Sequence, residues 1–280
     1  MAVIRGGWEW KRVLILVKTY PNPSTKYREI VCTAGVDEDG NFLRLYPIQF
    51  RSLHSRQYFS KWQFIDVRLR KARGDHRRES YEVEQESITP GDTIGSGSSW
   101  PERWAFIEPL IAPSLESVKS IDASERPSLT IIKPQDYEFL ISEHKNKEYT
   151  PKERRKLIGT LGFDTLFGDR LNQHFVLEKI PWKFQYRWTC CEECKSPHTS
   201  FFEDWEIGES YRKWRLDYSD DTTLREKLRY RYADEPRAKN NLYLVLGTHS
   251  RFRDTWLVIG HFRPQAFQRS TVSQLTFDLT

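Results

Sequence analysis

Cys190, Cys191, Cys194 and His198 fall within nine consecutive positions, the densest group of metal-type side chains in the chain. Zinc takes such thiolate and imidazole donors in a tetrahedron, so zinc is the expected cofactor and no nucleotide cofactor is indicated. Two ligand sets fit the spacing. Either three of the four combine with a remote donor, for which His249 and His174 are candidates, or all four bind after a tight turn that the adjacent cysteines make difficult. The same residues also read as reduced structural thiols. Cys191-Glu192-Glu193-Cys194 has the spacing of a redox dithiol, but its two acidic residues oppose thiolate formation.

Asp204, Glu206 and Glu209 follow directly and are the candidate catalytic carboxylates. Asp204 or Glu206 can hold a metal or a water. Their bland role is at a helix start, where carboxylates meet exposed amides. Acids two residues apart on a helix do not face one point, so Glu206 and Glu209 make the better local pair. Arg212 and Lys213 can steady a phosphate nearby, or join Glu209 in a surface charge network.

A third group is basic. Arg68, Arg70, Lys71, Arg73, Arg77 and Arg78 crowd one strand end and turn, while Arg44 and Arg51 lie near Tyr46, Phe50, Tyr58 and Trp62. Cations interleaved with rings suit a phosphate backbone and stacked bases, so DNA or RNA is the expected partner. Arg251 and Arg253, beside His249 in a predicted loop, offer a second patch. The competing reading is an edge strand kept soluble by its arginines, with the rings in the core.

The elements that must carry these residues are mostly strands. Val13 to Val17 is β-rich, and Asp39-Gly40-Asn41 divides two apolar runs as a hairpin turn does. Phe64 to Leu69 alternates as a half-exposed strand, and Tyr81 to Ile88 can form another. A short helix is expected over Glu102 to Leu110 and a strand over Leu129 to Ile132. Phe175 to Ile180 is apolar enough for a sheet, and Phe184, Tyr186 and Trp188 alternate with Gln185 and Arg187. Ile207, Tyr211, Trp214 and Tyr218 mark one face of a helix. Leu242 to Leu246 and Trp256 to Ile259 read as paired strands, and Thr271 to Phe277 as an edge strand.

Strand-rich ends around a helical middle predict an α+β fold: a curved mixed or antiparallel sheet, barrel-like, with helical and loop insertions. Residues 1–112 read as a β-rich part and 113–280 as an α+β part with the Cys/His cluster, packed as one architecture. Gly95-Ser96-Gly97-Ser98-Ser99 lacks the Gly-Lys-Ser/Thr ending of a phosphate loop.

The segment around the cysteines resembles an uncharacterised prokaryotic protein family with a Cys, Cys, His cluster followed by Asp-Trp-Glu-Ile and Tyr-Arg. The matching residues are Cys190, Cys194, His198, Asp204, Trp205, Glu206, Tyr211 and Arg212. Arg44-Leu45-Tyr46-Pro47 and Phe50-Arg51 match as well, so the resemblance touches both ends of the chain. It implies one architecture, carries no activity, and leaves Cys191 as an extra.

Composition narrows the classes. Charged residues are 30% of 280 and mean hydropathy is −0.70, too polar for a multi-span membrane protein. No apolar run approaches the roughly eighteen residues of a spanning helix, and the first apolar run ends at Lys18 without a cleavage-like site. Cytoplasm is the expected compartment. Clustered cysteines do not make a disulfide scaffold, and 14% aromatic residues exclude a disordered tail. The expected function is nucleic-acid binding with a structural zinc. The alternatives are a metal-dependent nuclease or other processing enzyme, and a protein-interaction scaffold.

Overall fold

The computed structural model describes residues 7–24, 28–95, 100–158 and 178–265. Strand β1 (Glu9–Lys18) carries five consecutive apolar residues, Val13 to Val17, and all are buried. A strand apolar on both faces must be covered on both. Val13 and Ile15 join Leu43, Ile65 and Leu69 in one core, whereas Leu14 and Leu16 join Trp62, Trp104, Val245 and Phe262 in another.

The first of these cores fills a closed five-stranded barrel. Its strands are β1, β3 (Arg28–Asp37), β4 (Phe42–Ile48), β5 (Gln63–Lys71) and β6 (Ser80–Val83), and the ring runs β1-β3-β4-β6-β5 and back to β1. Every pairing in the ring is antiparallel except β4 with β6. Closure leaves no unpaired edge within the ring. Strand β2 (Asn22–Ser24) extends β3, and β7 (Thr89–Thr93) extends β5. The expected hairpin turn is present, with Gly40 at φ 80°, a backbone shape that favours glycine. The expected alternation on β5 also holds, with Ile65, Val67 and Leu69 inside. The strand expected over Tyr81 to Ile88 stops at Val83. Ser87 Oγ donates to the Glu84 carbonyl and accepts from the Arg68 amide, so a local turn takes over.

Helix α1 (Trp100–Ile107) lays Trp100 and Trp104 on the barrel's outer core. Beyond it, β8 (Leu129–Ile132), β12 (Tyr243–Thr248) and β13 (Trp256–Phe262) form one three-stranded sheet. A second contains β9 (Asp136–Glu143), β10 (Trp182–Thr189) and β11 (His198–Phe201), and a bridge between Phe202 and Val258 links the two. Trp182, Phe184, Tyr186 and Trp188 all point from β10 into a third core. That core is roofed by α2 (Leu115–Lys119), α4 (Trp205–Asp217), α5 (Asp221–Arg229) and a π-turn, Tyr230–Asp234. Two further helices are α3 (Pro151–Ile158) and α6 (Glu235–Lys239). Of the expected apolar face on α4, Ile207 and Tyr211 are buried.

The whole is α+β, as the strand-rich ends predict. The sheet systems meet where β13 crosses β1. A Cβ at Gly260 would stand 2.0 Å from Val17 Cγ1, so glycine permits the approach that seats the next residue, His261. The strand expected over Thr271 to Phe277 lies outside the described residues, as do 175–177 of the strand expected over Phe175 to Ile180, whose described residues 178–180 are in no strand. Among the described residues no helix is long and apolar enough to cross a membrane.

Candidate functional site

Two clusters of ionisable side chains stand out. The first lies in the turn between β10 and β11, facing the start of α2. The alternating aromatic residues of β10 end at Thr189, and the chain reverses through Cys190 to Cys194 before His198 opens β11. The Cys190 sulfur is 3.6 Å from that of Cys194 and 4.0 Å from that of Cys191, and Cys191 and Cys194 are 3.8 Å apart. His198 Nε2 lies 3.5 Å from Cys194 Sγ and 3.8 Å from Cys190 Sγ, with its ring against Trp188.

The remote donor is a residue that spacing did not suggest. Glu116 reaches in from α2, placing Oε2 2.9 Å from Cys190 Sγ and 3.5 Å from both other sulfurs, and Oε1 3.0 Å from His198 Nε2. Glu116, Cys190, Cys194 and His198 offer donor atoms all within 4.8 Å of one another, close enough to hold a metal ion, with Cys191 beside them. Burial opposes the Glu116 charge, but a hydrogen bond from Cys190 and the nearby His198 outweigh it and hold the carboxyl down at about 2. Burial and that same carboxylate push the Cys190 thiol up. His249 is not part of this group. It sits in the β12–β13 turn, where its Nδ1 accepts from the Arg251 and Phe252 amides and its ring stacks on Phe252. His174 lies outside the described residues.

The second cluster lies where α4 begins. Asp204 is its N-cap, with Oδ1 accepting from the Glu206 amide at 2.9 Å. The other oxygen, Oδ2, is 2.9 Å from His261 Nδ1, and the two side chains are only 2% and 3% exposed. Glu206 Oε2 stands 3.8 Å from His261 Nε2, and Lys61 Nζ bonds both Glu206 Oε1 at 3.1 Å and the His261 carbonyl at 2.8 Å. Because Asp204 sits in extended backbone just outside the helix, it and Glu206 converge on one imidazole, which their helical spacing argued against. Desolvation works against the Glu206 charge, but Lys61 and His261 outweigh it and hold the carboxyl at about 2. Burial lowers the His261 pKa despite Asp204 and Glu206.

Glu206, His261 and Lys61 of this cluster line a cleft of about 440 Å³, with Asp204 buried behind them. Cations Lys61, Arg103, Lys213, Arg231 and Arg263 line it together with Trp62, Trp100, Trp205 and Trp214. Glu209 lines it too and pairs with Arg212 at 2.8 Å, not with Lys213. His261 is visible in the sequence only as one histidine inside the apolar strand Trp256–Phe262, and neither Lys61 nor Arg103 carries any pattern.

The basic run at 68–78 has a different setting. Arg68 pairs with Glu84 at 2.9 Å, Arg70 with Glu82 at 2.5 Å, and Arg78 with Glu125 at 2.7 Å. Arg77 is nearly buried, bound to Asp75 and donating to the Thr248 carbonyl at 2.6 Å. Lys71 lies over the Tyr81 ring and donates to the Arg78 carbonyl, while Arg73 is exposed. Arg44 is a correction. It is 3% exposed and donates to the Ser128 carbonyl and toward Cys32, so it ties the barrel to the segment before β8 and meets no outside ligand. Arg51 lies partly buried in a turn after β4, and Arg251 and Arg253 are exposed at the opposite end of β13 from the cleft.

Two family models match the chain in succession. The first, Domain of unknown function (DUF8758), covers residues 9–109, and the second, Domain of unknown function (DUF8757), covers residues 113–279. The longer match spans more than half of the chain. The chain belongs to the DUF8757 family. The cysteine cluster and the α4 start both fall within that family's span, whereas Lys61 comes from the span of the other. No curated protein and no solved structure matches.

Proposed function

We propose that this DUF8757 protein binds nucleic acid in the cleft over Glu206 and His261, and that a structural zinc at the cysteine cluster holds the second half together. The observation that carries the binding reading is that five cationic side chains and four indoles line one concavity. Phosphates are met by cations, and bases of any sequence can stack on indoles, for which Trp205 and Trp214 are half-exposed while Trp62 and Trp100 are buried, so a single strand suits this lining. Carboxylates pair with cations at both candidates, with Arg68, Arg70, Arg77 and Arg78 in the run and with Lys61, Arg231 and Arg263 in the cleft, so the indoles and the exposed Lys213 are what favour the cleft.

Zinc fits three of the donors by their edges. Bonds of about 2.3 Å to sulfur and 2.1 Å to nitrogen give a tetrahedron with sulfur–sulfur edges of about 3.8 Å and sulfur–nitrogen edges of about 3.6 Å. The separations among Cys190, Cys194 and His198 are 3.6, 3.8 and 3.5 Å. Glu116 supplies the fourth donor and Cys191 stands aside. Such a metal would clamp the β10–β11 turn to α2, and it has no part in the cleft.

The test is fluorescence anisotropy with labelled single-stranded DNA and RNA at several salt concentrations. Micromolar or tighter binding that weakens as salt rises is expected. Lys213→Ala should cost severalfold in affinity, whereas Arg70→Ala with Arg78→Ala should cost little. The reverse ranking moves the site to the 68–78 run, and no salt-sensitive binding ends the proposal.

A further inference from the structure

We propose that the same cleft hydrolyses phosphodiester bonds, with His261 as the base that activates water and Asp204 as the residue that positions it. This rests on the nucleic-acid reading of the cleft and deepens it. The geometry of three side chains carries the step. Asp204 Oδ2, an acceptor, lies 2.9 Å from His261 Nδ1, so the proton of a neutral ring belongs on Nδ1. Nε2 is then a bare lone pair. It faces Glu206 Oε2 across 3.8 Å, and that carboxylate is held ionised beside Lys61.

Two acceptors at that separation repel unless a donor lies between them. A water giving one hydrogen to each, at ordinary hydrogen-bond lengths of about 2.8 Å, spans the gap and is left with its lone pairs for attack. Lys61 Nζ, 3.1 Å from Glu206 Oε1, already answers the carboxylate's charge, which disfavours a divalent cation in the same place. A histidine serving only to staple β13 to α4 would need Asp204 and nothing on Nε2. Here Nε2 lies 3.8 Å from an ionised carboxylate that lines the cleft.

The reaction balances with water alone. The water oxygen forms a bond to phosphorus as the bond from phosphorus to the leaving nucleoside oxygen breaks. The water's proton passes to Nε2, and the leaving oxygen takes a proton from solvent at the open mouth. His261 then returns its proton to solvent. The products are a phosphomonoester and a free hydroxyl. Lys61 and Arg263 line the same cleft and are the cations available there to meet charge that builds on the phosphoryl oxygens.

The experiment uses the intact protein with no added divalent metal. Cleavage of end-labelled single-stranded DNA and RNA is followed beside anisotropy, and kcat and KM are taken with bis(p-nitrophenyl) phosphate. The wild type should cleave. His261→Asn should lower kcat roughly 100-fold or more, with KM and oligonucleotide affinity within about threefold. Asp204→Asn should also act on kcat. Glu206→Gln, at a side chain 43% exposed, tests the same water without risk to the core and should give at least about a tenfold loss. A wild type that binds but does not cleave overturns the hydrolytic step and leaves the binding reading standing. A folded His261→Asn that cleaves like the wild type also overturns it. A wild type that neither binds nor cleaves removes both.

Discussion

Three of the four donors at the cysteine cluster come from nine consecutive residues, whereas Lys61 and His261 of the cleft are separated by 200 positions. The first cluster needs only the β10–β11 turn and one short helix. The second needs the barrel, β13 and the start of α4 all in place. With a metal bound, the local cluster would brace one half of the molecule, whereas the distributed one reports whether the halves are docked.

Removing the brace should have the largest effect. Elemental analysis is expected to find one zinc per chain, and Cys194→Ser to lose it. Structural zinc is worth up to about 10–16 kcal/mol in small domains, and each kcal/mol shifts Tm by roughly 2–4 °C here, so Tm should fall by about 10 °C or more. Cys191→Ser should keep the metal. If Cys191→Ser loses it and Glu116→Gln does not, the ligand set is three cysteines and His198.

Breaking the docking comes next. Gly260→Val forces new atoms into Val17 and should cost about 3 kcal/mol or more in urea unfolding, with zinc still bound. A variant that loses zinc as well would mean the two regions are not separable. Smaller again is Asp204→Ala, which removes a helix cap and the buried partner of His261. Together these should cost about 2–4 kcal/mol, and Asp204→Asn less, by the same measurement.

The smallest effect is in acid. Glu206 ionises at about 2 when folded, below its ordinary value of 4.5. A depressed carboxyl stabilises the fold fully above its ordinary value and loses that contribution as pH falls through the folded value. Stability should therefore drop between about pH 4.5 and 2, and Glu206→Gln should drop less over that window. An identical acid limb in both proteins would place the acid sensitivity elsewhere, with Glu116 the first alternative.

What the sequence revealed follows the same division. Patterns of short period survived: the Asp39-Gly40-Asn41 turn, the alternation on β5 and β10, the α4 face, and the pairing of β12 with β13. Cys190, Cys194 and His198 were likewise legible because a turn brings near neighbours together. Glu116 was not, since the link between α2 and the turn is tertiary and leaves no spacing. Asp204 is legible as a helix start, yet its second bond to His261 depends on the Gly260–Val17 approach, which no local pattern encodes. The burial of Arg44 is hidden from the sequence for a related reason. A strand arginine between Leu43 and Leu45 reads as facing water, and only the segment around Ser128 makes its burial affordable through hydrogen bonds.

The doubly buried strand β1 has a further consequence. The two family models meet near residue 110, but Leu14, Leu16 and Trp62 from one span share a core with Val245, Ile259 and Phe262 from the other. A polypeptide carrying the barrel alone would turn an oily wall toward water. Wherever the shorter span occurs without the longer, something else must shelter that wall: another domain, a second copy, or polar replacements at positions 14 and 16.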